Sequence, residues 1–273
     1  MKGAQTMREE NFIISGRTLR VFKGGSGPGL LLLHSAWGDA EMSWSGIWDE
    51  LASSFAVIAP DLPGFGRSSQ IPGPTLSLMA GALRELLDKL NPGRITVVGN
   101  SFGGGVARQF AAEFPDSVSR LVLVNGGNIP HMPPPLRKVL ATPFLERRFR
   151  KLMRLFAFSP QALKKSFTDP SKLPPGFFGE IQKNAPEYSA VVFDTFMNIT
   201  RPLPFPAAPT FLIWGAQDGL NPLRQARALR KKIPGAILIA IDGAGHMPQM
   251  ERPREFIMAL RGAAGNPASP GRS

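Results

Sequence analysis

The sequence contains no cysteine and only three histidines among its 273 residues. Without cysteine there are no disulfides, no thiolate metal sites and no cysteine nucleophiles. The three histidines are His34, His131 and His246, which leaves little material for a zinc site. We therefore predict no metal and no cofactor, and expect any chemistry to come from hydroxyls, carboxylates and very few imidazoles.

Long apolar runs are also missing. No stretch approaches the roughly 18 apolar residues that a membrane-spanning helix needs. The N-terminal segment MKGAQTMREENFIISG is interrupted by Arg8, Glu9 and Glu10 before any run of signal-peptide length. These absences predict a cytoplasmic protein without a membrane span.

Acidic residues are outnumbered, with 20 Asp plus Glu against 32 Lys plus Arg and a net charge of +12. This excess raises nucleic acid, anionic membranes and acidic substrates as partners. Residues 131–205 hold 12 basic and 5 acidic residues, and so carry +7 of that charge. Because no nucleic-acid-binding motif accompanies the charge, we expect a small-molecule substrate and no nucleic acid, and leave a homodimer open.

Six short apolar runs, each ending in Gly, Asp, Asn or His, are separated by helical patterns. They are GLLLLHS, FAVIAPD, RITVVGNS, RLVLVNGG, PTFLIWGAQD and AILIAIDGAGH. Runs that are apolar on both faces are typical of a parallel sheet covered on both sides. The preceding segments FIISG and LRVF predict an antiparallel hairpin at the sheet edge.

The alternation of strand and helix stops after Gly127 and resumes near Ala208. We predict an α/β core from residues 1–128 and 208–262, a helical cap from 129–207 inserted after the sixth strand, and a flexible tail from 263–273. An insertion at this place is expected to lie over the strand ends. The predicted helices span 44–53, 76–90, 102–114, 223–233 and 253–261 in the core, and 136–158, 161–167 and 187–199 in the cap.

A G-x-S-x-G motif, residues 99–103, follows a predicted strand and opens a predicted helix. This context is typical of a nucleophile elbow, in which a strained turn exposes the serine hydroxyl above the sheet. Ser101 is therefore the predicted nucleophile. The alternative is a Gly-rich turn in which Ser101 only caps the helix.

A serine hydroxyl needs a base to take its proton and a carboxylate to orient that base. His246 lies directly after the last predicted strand, and Asp218 ends the preceding one, which gives the chain order Ser, Asp, His. Asp242, four residues before His246, is the alternative acid. His34 is expected to hold its own loop by hydrogen bonds, and His131 to lie on the surface.

A tetrahedral intermediate also needs two hydrogen-bond donors for its oxyanion. The backbone N–H of Phe102, at the start of the helix, is the first predicted donor. The N–H of Ala36, in the loop after an early strand, is the second, and the adjacent Trp37 is predicted to form a wall of the substrate pocket.

From about residue 12 to residue 261, the chain resembles α/β-hydrolase fold serine hydrolases with a helical cap. The segment DLPGFGRS at 61–68 is similar to the family's D-x-P-G-x-G-x-S turn, and GAGHMPQMERP resembles its histidine loop. The elbow GNSFGG is similar to that of meta-cleavage product hydrolases, which split carbon–carbon bonds in vinylogous diketo acids. This resemblance implies substrate contacts from Asn100 and Met247, and from a cap cation for which Lys183 and Arg201 are the candidates.

The first expectation for function is hydrolysis of carboxylic esters of medium-sized apolar substrates through an acyl-enzyme. Carbon–carbon bond hydrolysis is the second, because the same machinery serves both reactions. The third is a catalytically silent ligand-binding protein of this fold. Dehalogenase and epoxide hydrolase activities are disfavoured, because the family members that perform them use an aspartate where this chain has Ser101. Epoxide hydrolases also need cap tyrosines, and Tyr188 is the only tyrosine.

Overall fold

The computed structural model describes residues 7–265, and within them the strands form one eight-stranded sheet in the order β1-β2-β4-β3-β5-β6-β7-β8. Strand β2 pairs antiparallel with β1 and β4, whereas all other neighbouring strands are parallel. The strands are β1 (Arg8–Ile14), β2 (Arg17–Gly24), β3 (Gly29–Leu33), β4 (Ala56–Pro60), β5 (Ile95–Asn100), β6 (Val118–Val124), β7 (Thr210–Gly215) and β8 (Ile237–Ile241). The predicted, mostly parallel sheet with an antiparallel edge is confirmed.

Helices cover both faces of this sheet. They are α1 (Ala40–Ala52), α2 (Leu76–Leu90), α3 (Phe102–Glu113), α4 (Pro134–Leu140), α5 (Pro143–Phe158), α6 (Pro160–Ser166), α7 (Phe177–Met197), α8 (Leu223–Lys232), α9 (Pro248–Glu251) and α10 (Pro253–Ala264). In β3, Leu31 and Leu33 join the cluster under α2 and α3, while Leu30 and Leu32 join the cluster under α1 and α10. Strand residues alternate between the two faces of the sheet, so a run that is apolar throughout has both of its faces covered by helices.

Local chemistry explains where several elements begin and end. The β1–β2 hairpin turns at Ser15 and Gly16, both with positive φ (47° and 75°), as a two-residue hairpin turn requires. Helix α1 starts at Ala40, four residues before its predicted start, because the carboxylate of Asp39 accepts the N–H of Met42 and caps the helix.

The C-terminal helix extends beyond its predicted end. Helix α10 continues to Ala264, with Ala263 and Ala264 both buried, and Gly265 ends it in the left-handed conformation at φ 71°. The predicted flexible tail therefore does not begin at residue 263. Its remainder, residues 266–273, lies outside the described residues.

A helical insert, α4 to α7, lies between β6 and β7, as predicted. The single predicted helix at 136–158 is two helices, because Pro143 disfavours helical backbone at the residue before it and starts a new helix. The helix predicted at 187–199 instead begins ten residues earlier at Phe177 and ends at Met197, with Pro186 inside it. Proline usually ends a helix, so the sequence pattern does not indicate the first half of α7.

The insert has its own small core, formed by Met132, Phe193 and Met197. No residue of α4 is buried, and Phe158 is the single buried residue of α5. Within the described part of the chain, no helix is both long and apolar enough to cross a membrane.

Candidate active site

Ser101 occupies a strained turn between β5 and α3, with φ 55° and ψ −112°. Non-glycine residues rarely adopt this backbone conformation, and such strain concentrates at functional sites. A Cβ atom at Gly99 would overlap the backbone of Gly103, and one at Gly103 would overlap the carbonyl oxygens of Leu33 and His34. The glycines of the motif are therefore required by the close approach of strand and helix.

Ser101, His246 and Asp218 form a continuous chain of hydrogen bonds. The Ser101 Oγ lies 2.9 Å from His246 Nε2, and His246 Nδ1 lies 2.8 Å from Asp218 Oδ2. A carboxylate can only accept, so Nδ1 carries the proton and Nε2 is left to accept from the serine hydroxyl. This is the tautomer that a general base for Ser101 needs.

Asp218 is held on both of its carboxylate oxygens. Oδ1 accepts the backbone N–H groups of Leu220 and Asn221 at 2.8 and 2.9 Å. Oδ2 accepts from His246 and, at 2.6 Å, from the side-chain amide of Asn125. The alternative acid Asp242 is exposed, and it has no hydrogen bond to His246 in the described structure.

Asn125 belongs to the same hydrogen-bond network, although it is not among the residues predicted from the sequence. It follows β6 directly, has φ 46°, and accepts the N–H of Gly215 at 2.9 Å while donating to Asp218. Its side chain thus ties the acidic residue to the ends of two strands. The rule that located Asp218, a polar residue at the carboxyl end of a parallel strand, also applies to Asn125.

Phe102 and Ala36, the two predicted oxyanion donors, both line the cavity that contains Ser101. Among the described residues neither backbone N–H has a hydrogen-bond acceptor. Phe102 is also the first residue of α3, where the helix dipole favours negative charge. Both N–H groups are therefore uncommitted at the cavity wall beside Ser101.

His34 holds the loop that carries Ala36, as expected. It is fully buried; Nδ1 donates to the carbonyl of Ser35 at 2.7 Å, and Nε2 accepts the N–H of Leu62 at 2.8 Å. Burial lowers the pKa of His34, so the ring is neutral. His131 is exposed.

The segment 61–68 packs against the loop that carries Ala36 and supports it. Asp61 is fully buried, and its carboxylate accepts the N–H groups of Ala40 and Arg67, each at 3.0 Å. Arg20, 2% exposed, lies 3.4 Å from the same carboxylate and also pairs with Glu9. These contacts agree with the interpretation of the segment as scaffold.

A cavity of about 350 Å³ opens above Ser101 between the sheet and the insert. Its wall is mainly apolar and includes Trp37, Ile129, Phe149, Met153, Phe156 and Phe158. Its polar side chains, apart from Ser101, are Asn128, Thr195, Asn221 and Gln225. No charged side chain among the described residues lines it.

Trp37 links the site to the insert, and its side chain lines the cavity. Its indole N–H donates to the carbonyl of Ala157 at 2.8 Å, and its ring centroid lies 4.7 Å from that of His246. The ring therefore packs on His246, while the indole N–H holds the C-terminal turn of α5.

The other predicted substrate contacts do not lie at the cavity wall. Asn100 is fully buried; its amide donates to the carbonyls of Val124 and His246 and accepts from Gln249. These bonds make Asn100 a support for the histidine loop and correct the prediction. Met247, 1% exposed, is packed in the main core.

Neither cap cation reaches the cavity. Lys183 is exposed and lies 3.4 Å from Glu180, and Arg201 is also exposed. Neither is part of the wall around Ser101. In the described range 7–265, no three His, Cys, Asp or Glu side chains come together in a way that could hold a metal ion.

A mostly parallel eight-stranded sheet, a helical insert after β6 and a serine on the turn between β5 and α3 define the class of α/β-hydrolase fold proteins. The sequence agrees, since a family model described as "Alpha/beta hydrolase family" matches residues 30–259. The chain belongs to this family.

The relatives of this chain carry different functional descriptions. An uncharacterized protein of Mycobacterium tuberculosis is 31% identical over 262 residues, which cover 87% of this chain and 76% of the relative. A 2-hydroxy-6-oxononadienedioate/2-hydroxy-6-oxononatrienedioate hydrolase of Pseudomonas is 27% identical, with 89% and 86% of the two chains covered. The structure of a thermophilic esterase from Thermogutta terrifontis has a TM-score of 0.75 at 26% identity and covers 93% of this chain and 97% of the esterase.

Proposed function

We propose that the protein is a serine hydrolase that cleaves carboxylic esters of medium-sized, largely apolar substrates through an acyl-enzyme on Ser101. One observation carries the proposal: the hydrogen-bonded chain Ser101–His246–Asp218 opens onto an apolar cavity. The strained backbone at Ser101 and the two free amides beside it support the same reading.

In the proposed first half-reaction, Ser101 Oγ attacks the ester carbonyl carbon while His246 Nε2 takes its proton. The N–H groups of Phe102 and Ala36 donate to the oxyanion that forms. His246 then gives the proton to the departing alkoxide oxygen, which leaves as an alcohol, and the acyl group stays on Ser101. Asp218 keeps the imidazole in the required tautomer and stabilises its charged form.

In the second half-reaction a water molecule takes the place of the alcohol. His246 accepts a proton from this water as its oxygen attacks the acyl carbon, and the same two amides hold the second oxyanion. The intermediate collapses when Ser101 Oγ leaves and regains the proton from His246. The carboxylic acid is released and the enzyme returns to its starting state.

The lining of the cavity favours an uncharged substrate. Its wall contains no charged side chain among the described residues, and Asn100 is committed to the histidine loop. A substrate carboxylate would lose its hydration there without gaining a cation. We further propose that the insert, about residues 129–207, acts as a cap whose α5 and α7 form the outer wall of this cavity.

Carbon–carbon bond hydrolysis is the second candidate. It is favoured by the 27% identity to a hydrolase of 2-hydroxy-6-oxononadienedioate and by the similar elbow sequence. The Ser101–His246 pair and the proposed oxyanion donors would serve this reaction as well. The charge-free cavity wall counts against it, because the substrates named for that relative are dicarboxylates.

A fluorophosphonate probe tests the serine chemistry directly. We expect wild-type protein to be labelled and Ser101→Ala to remain unlabelled, because only an activated serine reacts with this phosphorus centre. Ser53→Ala, which removes an exposed serine just after α1, is the matched control and should label normally. If the wild-type protein stays unlabelled under conditions that label a control esterase, the proposed serine mechanism is wrong.

Two substrate series separate the enzymatic candidates. We expect p-nitrophenyl esters of medium chain length to have a higher kcat/KM than a dienoic diketo acid, because the cavity is apolar and has no cation. If the diketo acid is turned over far faster than every ester, ester hydrolysis is the wrong assignment and carbon–carbon hydrolysis is the right one.

A further inference from the structure

The solvent side of α4 and α5 exposes an unusual amount of apolar surface. Among residues 7–265, eleven large hydrophobic side chains are exposed, and six of them lie on these two short helices. The six are Leu136, Val139, Phe144, Leu152, Leu155 and Phe156. We call this solvent side of Pro134–Leu140 and Pro143–Phe158 the outer helical face. Clustered exposed apolar residues mark an interaction site more often than scattered ones do.

The same face is strongly basic. The two helices carry seven Lys and Arg residues against the single acidic residue Glu146. Arg150 is paired with Glu146 and with Asp194. Three further basic residues, Arg147, Lys151 and Arg154, are exposed and have no acidic partner in the described part of the chain. Their charge is unneutralised by the protein itself.

Helical spacing sorts the charged and the apolar residues onto adjacent sides of α5. Residues 147, 151 and 154 recur every three or four positions and share one side. Residues 152, 155 and 156 have the same spacing and share the neighbouring side. A helix with an apolar side bordered by Lys and Arg is the pattern of segments that lie in the interface of a membrane.

The outer helical face is continuous with the mouth of the active-site cavity. Phe156 is 69% exposed and yet lines the cavity, so it lies at the opening. Phe149 and Met153, on the inner side of the same helix, line the cavity below it. An apolar molecule leaving a surface against α5 would reach Ser101 along the side chains of this one helix.

We propose that the outer helical face binds the surface of anionic lipid membranes, with its apolar side chains inserted at the headgroup boundary and its basic side chains on the lipid phosphates. Docking in this way turns the mouth of the cavity toward the bilayer. A second copy of the chain is a poor occupant, because pairing this face with itself would bring two strongly basic surfaces together.

Vesicle co-sedimentation of full-length protein tests the proposal. One set of vesicles is phosphatidylcholine alone, and the other contains equal parts of phosphatidylcholine and phosphatidylglycerol. We expect binding to the anionic vesicles and little to the neutral ones. Because the readout is sedimentation, Ser101→Ala should bind like wild type, so the result stands apart from any hydrolytic activity.

Two variants and their matched controls locate the surface. We expect Arg147→Gln/Lys151→Gln/Arg154→Gln to bind anionic vesicles about a hundredfold more weakly, since each basic residue near such a surface contributes roughly a factor of five. Arg224→Gln/Arg227→Gln/Lys231→Gln removes three exposed charges from α8, a basic helix without exposed large apolar residues, and should bind almost normally.

The apolar contribution is tested by Leu152→Ser/Leu155→Ser, for which we also expect weaker binding. Its control is Ile13→Ser/Met258→Ser, which removes two apolar side chains of similar exposure elsewhere. The proposal is overturned if anionic vesicles fail to bind wild type, or if the control variants lose as much binding as the test variants. A wild-type protein that binds an acidic protein but not the anionic vesicles would likewise overturn the proposal of a lipid partner.

Discussion

The sheet and the outer helices of the insert differ in how completely their apolar side chains are buried. In β3, Leu30 to Leu33 are all fully buried, whereas in α5 only Phe158 is buried and several large apolar residues face solvent. The proposed catalytic residues belong to the first region, and much of the cavity wall belongs to the second. Rigid surroundings would fix the distances that the proposed proton transfer needs, whereas exposed side chains of the wall, such as Phe156, are free to adapt to an apolar ligand.

Buried apolar residues of the insert pack into the main core, and polar contacts close to the site also join the two regions. The indole of Trp37 donates to the carbonyl of Ala157, and the N–H of His246 donates to the carbonyl of Ser166 at 2.7 Å. Glu251, 3% exposed, accepts from the backbone and hydroxyl of Thr168, each at 2.7 Å. The insert therefore contacts the loop that carries His246, so the two regions differ in packing but are coupled at the site.

The largest effect on kcat is expected from a substitution in the sheet region, at Asp218 after β7. Asp218→Asn should reduce kcat for ester hydrolysis by about 10⁴-fold, because the amide favours the wrong imidazole tautomer. Asp242→Asn, at the exposed alternative acid, should leave kcat unchanged. Steady-state kinetics on both variants checks this, and equal losses would remove Asp218 from its proposed role.

The packing contrast itself is tested by two leucines. Leu32→Ala, in fully buried β3, should lower the free energy of unfolding by about 2–5 kcal/mol through a cavity in the core. Leu155→Ala, 52% exposed on α5, should change it by less than about 0.5 kcal/mol. Urea unfolding measures both, and a comparable loss in the two variants would mean that the outer helices belong to the cooperative core.

Arg108 joins the two regions at the base of the insert. Its guanidinium donates to the carbonyls of Gly127, Leu203 and Pro204 at 2.6–2.9 Å, and burial lowers its pKa to about 10. Arg108→Met should lower the free energy of unfolding by about 1–3 kcal/mol, because three carbonyls lose their donor. Arg84, a more exposed arginine of α2, provides the control.

For the control Arg84→Met we expect a loss of no more than about 1 kcal/mol, as for other exposed ion pairs. Limited proteolysis adds a local readout, since Arg108→Met should expose the insert to cleavage before the sheet. Unfolding of sheet and insert together, with no early cleavage, would argue that Arg108 does not hold the insert specifically.

The smallest effect is expected at Trp37. Trp37→Phe keeps an aromatic ring beside His246 but removes the donor to Ala157. We expect KM to rise by less than about tenfold, the equivalent of 1.4 kcal/mol, with kcat retained. Kinetics on a medium-chain ester checks this, and a large fall in kcat would show that the indole N–H orients the base and does more than hold α5.

Most of the fold could be predicted because the strand pattern is repeated and unambiguous. Runs such as GLLLL are apolar on both faces, which few other structures tolerate. The helices of the insert were harder, because Pro186 lies inside α7 and the usual rule for proline favours a helix end. Tertiary packing of Ile181, fully buried, holds the first half of α7 in spite of that proline.

In the proposed site, too, some residues could be predicted from the strand pattern and others could not. Ser101, Asp218 and His246 could be predicted because each follows a strand and the carboxyl ends of parallel strands share one edge. Asn100 shows where such reasoning fails, because the motif gives its position but Gln249 and the histidine loop decide what its amide binds. Side-chain partners that come from distant loops have no pattern in the sequence.

The bonds of Arg108 bear on how such a chain can change over evolutionary time. One guanidinium reaches carbonyls at residues 127, 203 and 204, so the two ends of the insert lie side by side. An inserted module whose ends are neighbours can be lengthened, shortened or exchanged without shifting the register of the strands on either side. New substrates can then be explored by replacing one continuous stretch of chain, while the residues proposed to break the bond stay where they are.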